Sequence, residues 1–292
     1  MADNPHEFGR RTREQVGFSF LERRRGFKNE RFHRKISGSY DGPVILAEGD
    51  SWFEFPMSED LIMRLGERYA ILSLAKAGDS FAEVTGTGDE LFPTLNDPPP
   101  GRDFHIVMLS LGGNELMGHI EDFVHENDPA RPDEDYILPN FAPMLAGVRD
   151  KFNGIIERII RDGEQHVILH GYDYPDPRFP PEPTEGPNGS QWIGPPLLHQ
   201  RRIGQLTTYR EIANRMADQF NAMLAELAAR PQHHGRVHHV RLLGTIGRRN
   251  KNQAPAPGLW VDEIHGSDEG FRRLAAKFVP VIDDVWAGMQ VG

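Results

Sequence analysis

Cysteine is absent from all 292 residues. No disulfide framework, thiolate zinc site, iron–sulfur cluster or cysteine nucleophile can be built from such a chain. Long apolar runs are missing too: nothing approaches the roughly 18 residues of a membrane span. Gly9-Arg10-Arg11 resembles a twin-arginine export signal, but Thr12-Arg13-Glu14-Gln15 follows it in place of an apolar stretch. The expected location is therefore the cytoplasm. Net positive charge is lacking as well. At -10 overall, the chain has no general electrostatic grip on nucleic acid or anionic lipid. Gly86-Thr87-Gly88 is too short for a dinucleotide fingerprint and no phosphate-binding loop occurs, so no organic cofactor is expected.

What remains is an ordinary globular composition, 38% hydrophobic and 26% charged, long enough for one large or two small domains. The charge is unevenly spread. Residues 1–40 hold ten Lys or Arg against five Asp or Glu, so this arm is +5 and the remaining 252 residues are -15. Phe18, Phe20, Leu21, Phe27, Phe32 and Ile36 are interleaved with those charges and give the arm something to bury. The arm is expected to pack on its own acidic domain or on a partner subunit, which makes it a candidate homo-oligomer interface. No nucleic-acid partner and no membrane span are expected.

From Pro43 onward, short apolar runs alternate with longer amphipathic ones. The runs 43–47, 69–74, 104–111, 165–170 and 236–243 read as strands, nearly continuous in apolar character, as suits a parallel sheet covered on both faces. Helices are predicted over 58–69, 141–161 and 205–230, and from Ser267 onward with a kink at Pro280. The expected fold class is α/β: one three-layer α/β/α domain over residues 41–292, flavodoxin-like, with about five parallel strands. Two segments interrupt the alternation, 89–103 and 172–202. The second holds eight prolines and reads as a loop or lid over one end of the sheet.

In such sheets ligands bind beyond the carboxyl ends of the strands. Those positions hold Gly49-Asp50-Ser51-Trp52-Phe53, Ala77-Gly78-Asp79-Ser80 and Gly112-Gly113-Asn114-Glu115, with Asp262-Glu263-Ile264-His265 just before the last helix. Together they supply a hydroxyl, small residues that expose backbone N–H groups, a side-chain amide and an Asp/His pair. A serine hydroxyl becomes nucleophilic when a neutral imidazole takes its proton, and a carboxylate fixes that imidazole's tautomer. His233, His234, His238 and His239 invite a metal reading, but neighbours on a strand point to opposite faces, and no metal is expected.

In identity, order and placement, Gly49-Asp50-Ser51, Gly78, Gly113-Asn114 and Asp262-x-x-His265 resemble the SGNH, or GDSL-type, hydrolases across roughly residues 43 to 290. The resemblance implies Ser51 as nucleophile, His265 as general base and then acid, and Asp262 as its orienting partner. It implies an oxyanion hole made by the backbone N–H of Ser51, the backbone N–H of Gly78 and the side-chain amide of Asn114. Two departures stand out: Glu115 where many relatives have Asp, and Gly266 after His265 where Pro is frequent. The order of the blocks selects Ser51 over Ser80, since only Ser51 leaves a second-strand glycine, Gly78, ahead of Gly113-Asn114; Ser80 then reads as a helix cap.

The expected function is a cofactor-free serine ester hydrolase acting through an acyl-enzyme on a lipid, short-chain or carbohydrate acyl ester. Trp52, Phe53, Tyr172 and Asp173 are candidate substrate contacts, and the aromatic residues lean toward an apolar acyl group. The competing expectation is a non-catalytic protein of the same fold that binds or assembles through its basic arm.

Overall fold

The computed structural model describes residues 23–86, 89–100, 102–178 and 192–291. Gly9-Arg10-Arg11, Phe18, Phe20 and Leu21 of the arm, Thr87 and Gly88, and residues 179–191 of the proline-rich loop lie outside the described residues.

Among the described residues the chain runs α1 (23–36), β1 (Val44–Gly49), α2 (Leu61–Leu65), β2 (Ala70–Ser73), α3 (Phe81–Thr85), α4 (Leu91–Asn96) and β3 (Ile106–Ser110). It continues through α5 (Gly113–Met117), α6 (Phe141–Asp162), β4 (His166–His170), α7 (Gly194–His199), α8 (Leu206–Ala228), β5 (Val237–Val240) and α9 (Asp268–Val291). The five strands form one parallel sheet in the order β2-β1-β3-β4-β5. The α/β, three-layer reading is thus the observed architecture.

Strand periodicity explains the layering. Val44, Leu46, Val107, Leu109, Val167 and Leu169 point to one face, where α6 and α8 bury Phe152, Ile156, Ile212 and Phe220 against them. Their neighbours Ile45, Ala47, Ile106, Met108 and Ile168 point to the other, under α2 and α9. With both faces covered, the sheet leaves its carboxyl edge as the place where loops and polar groups collect.

Some elements differ from the sequence reading. The helix expected over 58–69 shrinks to α2, capped by Asp60 (Oδ1 accepts from Met63 N at 2.8 Å) rather than by Ser58, and closed at Gly66. Pro280 sits inside α9, which runs on through it. Short helices α4 and α7 occupy parts of the two segments read as interruptions.

The described part of the basic arm, α1, lies on its own chain. Phe32 is buried in the core beside Phe104. Lys28 is 3% exposed, and its Nζ meets Glu54 Oε2 at 2.6 Å, Asp60 Oδ2 at 2.7 Å and the Phe53 carbonyl at 2.7 Å. Lys35 donates to the carbonyls of Glu67 and Arg68 just past α2, and Asn29 exchanges two hydrogen bonds with the backbone of Ser73.

Candidate active site

Every sequence block singled out above lies at the carboxyl edge of the sheet. At the end of β1, Gly49 adopts φ +150°, and a Cβ there would overlap the Ser110 carbonyl of the adjacent strand; only glycine lets the two backbones close here. Asp50 N then donates to Ser110 O at 2.9 Å, and the chain turns sharply so that Phe53 N and Glu54 N both return to Asp50 O. That turn lifts Ser51 out of the strand.

The Asp262–His265 pair is held by its own tight loop. Trp260 and Gly266 form an antiparallel bridge, and Val261 N donates to His265 O at 2.9 Å. Within it Asp262 Oδ1 accepts from the N–H groups of Ile264 and His265, while Oδ2 lies 2.7 Å from His265 Nδ1. His265 Nε2 is 2.7 Å from Ser51 Oγ. Burial pushes the Asp262 carboxyl up, but the His265 ring and the two N–H groups outweigh it and leave it below its ordinary value. A charged Asp262 keeps the Nδ1 proton on His265, so Nε2 faces the serine as an acceptor. Phe55 stacks on the imidazole at 4.1 Å between ring centroids, and Trp52 Nε1 donates to Ile264 O, so aromatic side chains fix both ring and loop.

The expected oxyanion donors come from three strand ends. Among the described residues, no group accepts from Ser51 N or Gly78 N, and Gly78 adopts φ +90° with open space where a Cβ would be. Asn114 Nδ2 donates one hydrogen to Asp79 O at 2.7 Å, which leaves its second for another acceptor. Glu115 Oε1 accepts from Phe81 N, the first residue of α3. The turns after β2 and β3 are thereby stitched together by the two residues of Asn114-Glu115. Gly78 lies outside the walls of the cavity described next, while Ser51 and Asn114 form part of them.

Beneath this edge Asp50 is 2% exposed, and its carboxylate accepts from Trp52 N (3.0 Å), Ser110 Oγ (2.7 Å) and the Tyr172 hydroxyl. Burial pushes the Asp50 carboxyl up, against these hydrogen bonds. Tyr172 is pushed far up, first by burial and then by the Asp50 charge, so it remains a donor. The same hydroxyl accepts from Gly113 N at 3.0 Å. It therefore joins the residue before the expected nucleophile to the residue before the expected oxyanion amide. Asn221 of α8 holds the Tyr172 carbonyl at 3.0 Å and fixes the exit of β4.

The candidate substrate contacts divide. Trp52 and Tyr172 wall an apolar cavity beside Ser51. Phe53 is fully buried against His170, in the layer under the site. Asp173 borders the cavity, but both of its oxygens are engaged by backbone N–H groups of Tyr174, Gly244, Ile246 and Gly247. Of the histidines, His238 pairs with His166 across β5 and β4 at 2.9 Å, with its pKa pushed down to about 4 by burial; His233 is buried elsewhere.

Sequence reasoning passed over Glu263, which stands between Asp262 and His265. It is fully buried, and its carboxylate accepts from Arg178 N, Ile193 N and Gly194 N, so it ties both described flanks of the proline-rich loop to the loop that carries His265. An acidic residue beside the Asp/His pair was the available signal, and nothing local distinguished it from a spacer.

No protein-family model matches the chain, and no curated protein matches it. Solved structures do. A candidate platelet activating factor from Streptococcus pneumoniae is similar over 94% of this chain and 99% of its own, with a TM-score of 0.53 at 14% identity. A candidate SGNH hydrolase from Slackia heliotrinireducens covers 82% of this chain and 98% of its own, with a TM-score of 0.44 at 13% identity. The first of these likenesses, together with the strand order β2-β1-β3-β4-β5, shows the fold: one three-layer α/β/α domain on a five-stranded parallel sheet.

Proposed function

We propose that this protein is a serine-dependent ester hydrolase that works through an acyl-enzyme intermediate. The observation that carries the reading is the unbroken line Ser51 Oγ to His265 Nε2 to Asp262 Oδ2, with 2.7 Å at each of its two hydrogen-bonded contacts. In this reading Ser51 Oγ attacks the ester carbonyl carbon while its proton passes to His265 Nε2. The tetrahedral oxyanion accepts from Ser51 N–H, Gly78 N–H and the second Asn114 amide hydrogen. His265 then returns the proton to the departing alkoxide, leaving the acyl group on Ser51. Water, deprotonated by the same nitrogen, attacks the acyl carbonyl; the bond to Ser51 Oγ then breaks, His265 returns the proton to Oγ, and the carboxylic acid leaves. Asp262 keeps its charge throughout and stabilises the imidazolium. Preorganised donors favour the oxyanion over the ground-state carbonyl, each worth about 2.7 to 4 kcal/mol in the transition state.

The test is turnover of an aryl acetate together with covalent labelling by a serine-reactive fluorophosphonate. Wild-type protein should do both and Ser51→Ala neither, while Ser80→Ala keeps both. Labelling that follows Ser80 instead would overturn the assignment.

A further inference from the structure

Immediately beside Ser51 a small cavity runs inward between α5 and α8. The space inside it is about 40 Å³, room for about three water-sized groups. Ser51 and Asn114 stand at its partly exposed side, and Leu116, Pro175, Ala217 and Phe220 close it from within. Of the carboxylates on its border, Asp50 and Asp173 have their oxygens taken up by the partners named above, so neither offers a charge to a ligand. The interior is therefore a place for carbon. Two buried alanines, Ala213 and Ala217, stand on α8 among bulky neighbours such as Tyr209, Ile212, Met216 and Phe220, and of the two only Ala217 borders the cavity.

We propose that this cavity seats the acyl chain of the ester, that it takes a short, uncharged, unbranched chain of about two to four carbons, and that the small side chain of Ala217 makes the room for it. The inference rests on the hydrolase reading above and adds the substrate class to it. Carbons beyond that length meet Leu116 and Phe220, both 2% exposed or less and packed into the core, so they have no space to enter without displacing well-packed side chains. A sugar or a charged acyl group would enter a wall without hydrogen-bond partners for it.

The experiment is a series of aryl esters from acetyl to decanoyl, run on wild type, Ala217→Leu and Met117→Ala, with fluorophosphonate labelling of each protein as an independent readout of Ser51. For wild type, kcat/KM should rise about fourfold per added methylene up to butyryl and fall beyond it. Leucine at 217 adds three carbons to the wall, so the butyryl-to-acetyl ratio should drop by about tenfold or more. Met117 lies on the partly exposed side, and its truncation should move the optimum to longer chains. Should Ala217→Leu fail to label, the Met117→Ala profile alone decides. Labelled wild-type protein whose rate climbs steadily to decanoyl, or an optimum unmoved in both labelled variants, overturns this inference and leaves the hydrolase reading standing. Wild-type protein that neither labels nor turns over any ester overturns both.

Discussion

The tripeptide Gly-Asp-Ser occurs twice, at 49–51 and 78–80, each time just past a buried parallel strand, yet the two copies live in opposite surroundings. Asp50 is sealed under the sheet edge with three donors on its carboxylate, while Asp79 is half-buried and burial raises it to about 6. Ser51 faces an imidazole; Ser80 opens α3, where its hydroxyl accepts from Ala82 N and Glu83 answers by accepting from Ser80 N. The same three residues thus build a reactive corner in one place and a capping box in the other. Chemistry comes from what the rest of the chain brings to the tripeptide: Asp262, His265 and Tyr172 approach only the first.

That contrast sets the size of the expected effects. Ser51→Ala should lower kcat for an aryl ester by about 10⁵- to 10⁶-fold. Ser80→Ala should leave kcat within about twofold and cost about 0.5 to 2 kcal/mol of stability, read from denaturant unfolding. Asn114→Ala should reduce kcat by about 10²- to 10³-fold with KM little changed, because the amide acts on the oxyanion and not on the ground state. Tyr172→Phe leaves Gly113 N and one Asp50 oxygen without their partner and should cost about 1 to 3 kcal/mol of stability. An Asp79→Asn variant, by contrast, removes a carboxylate whose charge burial disfavours and should be at least as stable as wild type at pH 7.

A further effect is one of pH. The residue before the first tripeptide is Glu48, before the second Ala77. Burial raises Glu48 to about 8, with the nearby Asp79 charge adding to the shift against the Gly49 N–H. A carboxyl with a raised folded-state pKa binds its proton more tightly in the folded chain. Stability is then greatest below the ordinary carboxylate range and is lost as pH rises toward about 8. Glu48→Gln cannot ionise, so its thermal midpoint relative to wild type should climb between pH 5 and 8 and level off above that. A constant difference across that range would remove Glu48 as a titrating group.

The strands and the four blocks were legible because each is local: a nearly continuous apolar run, or a short motif at a strand end. Ser80 could be assigned to a cap for the same reason, since its partners lie within three residues. The features that were not legible are those made across long sequence separations. The stacking of Phe55 on His265 is one, since the two lie 210 positions apart. The hydrogen bonds of the Tyr172 hydroxyl with Asp50 and Gly113 are another, since both partners are distant in the chain. Ala217 is one of several alanines on α8, and only its place over the cavity distinguishes it. The helix over 58–69 was drawn too long because its apolar spacing continues past Gly66, where the backbone leaves the helix to enter β2.

Lys28 places the start of the site earlier in the chain than the motifs do. It is the cation enclosed between Glu54 and Asp60, and its amine also holds the carbonyl of Phe53, two residues past Ser51. Cutting the chain at residue 40 would strand two buried carboxylates beside the nucleophile turn, a loss of about 3 to 5 kcal/mol for breaking such a group. The first helix thus acts as a built-in counter-ion, and a separate peptide spanning residues 23–36 is the natural reagent to return it to a shortened chain.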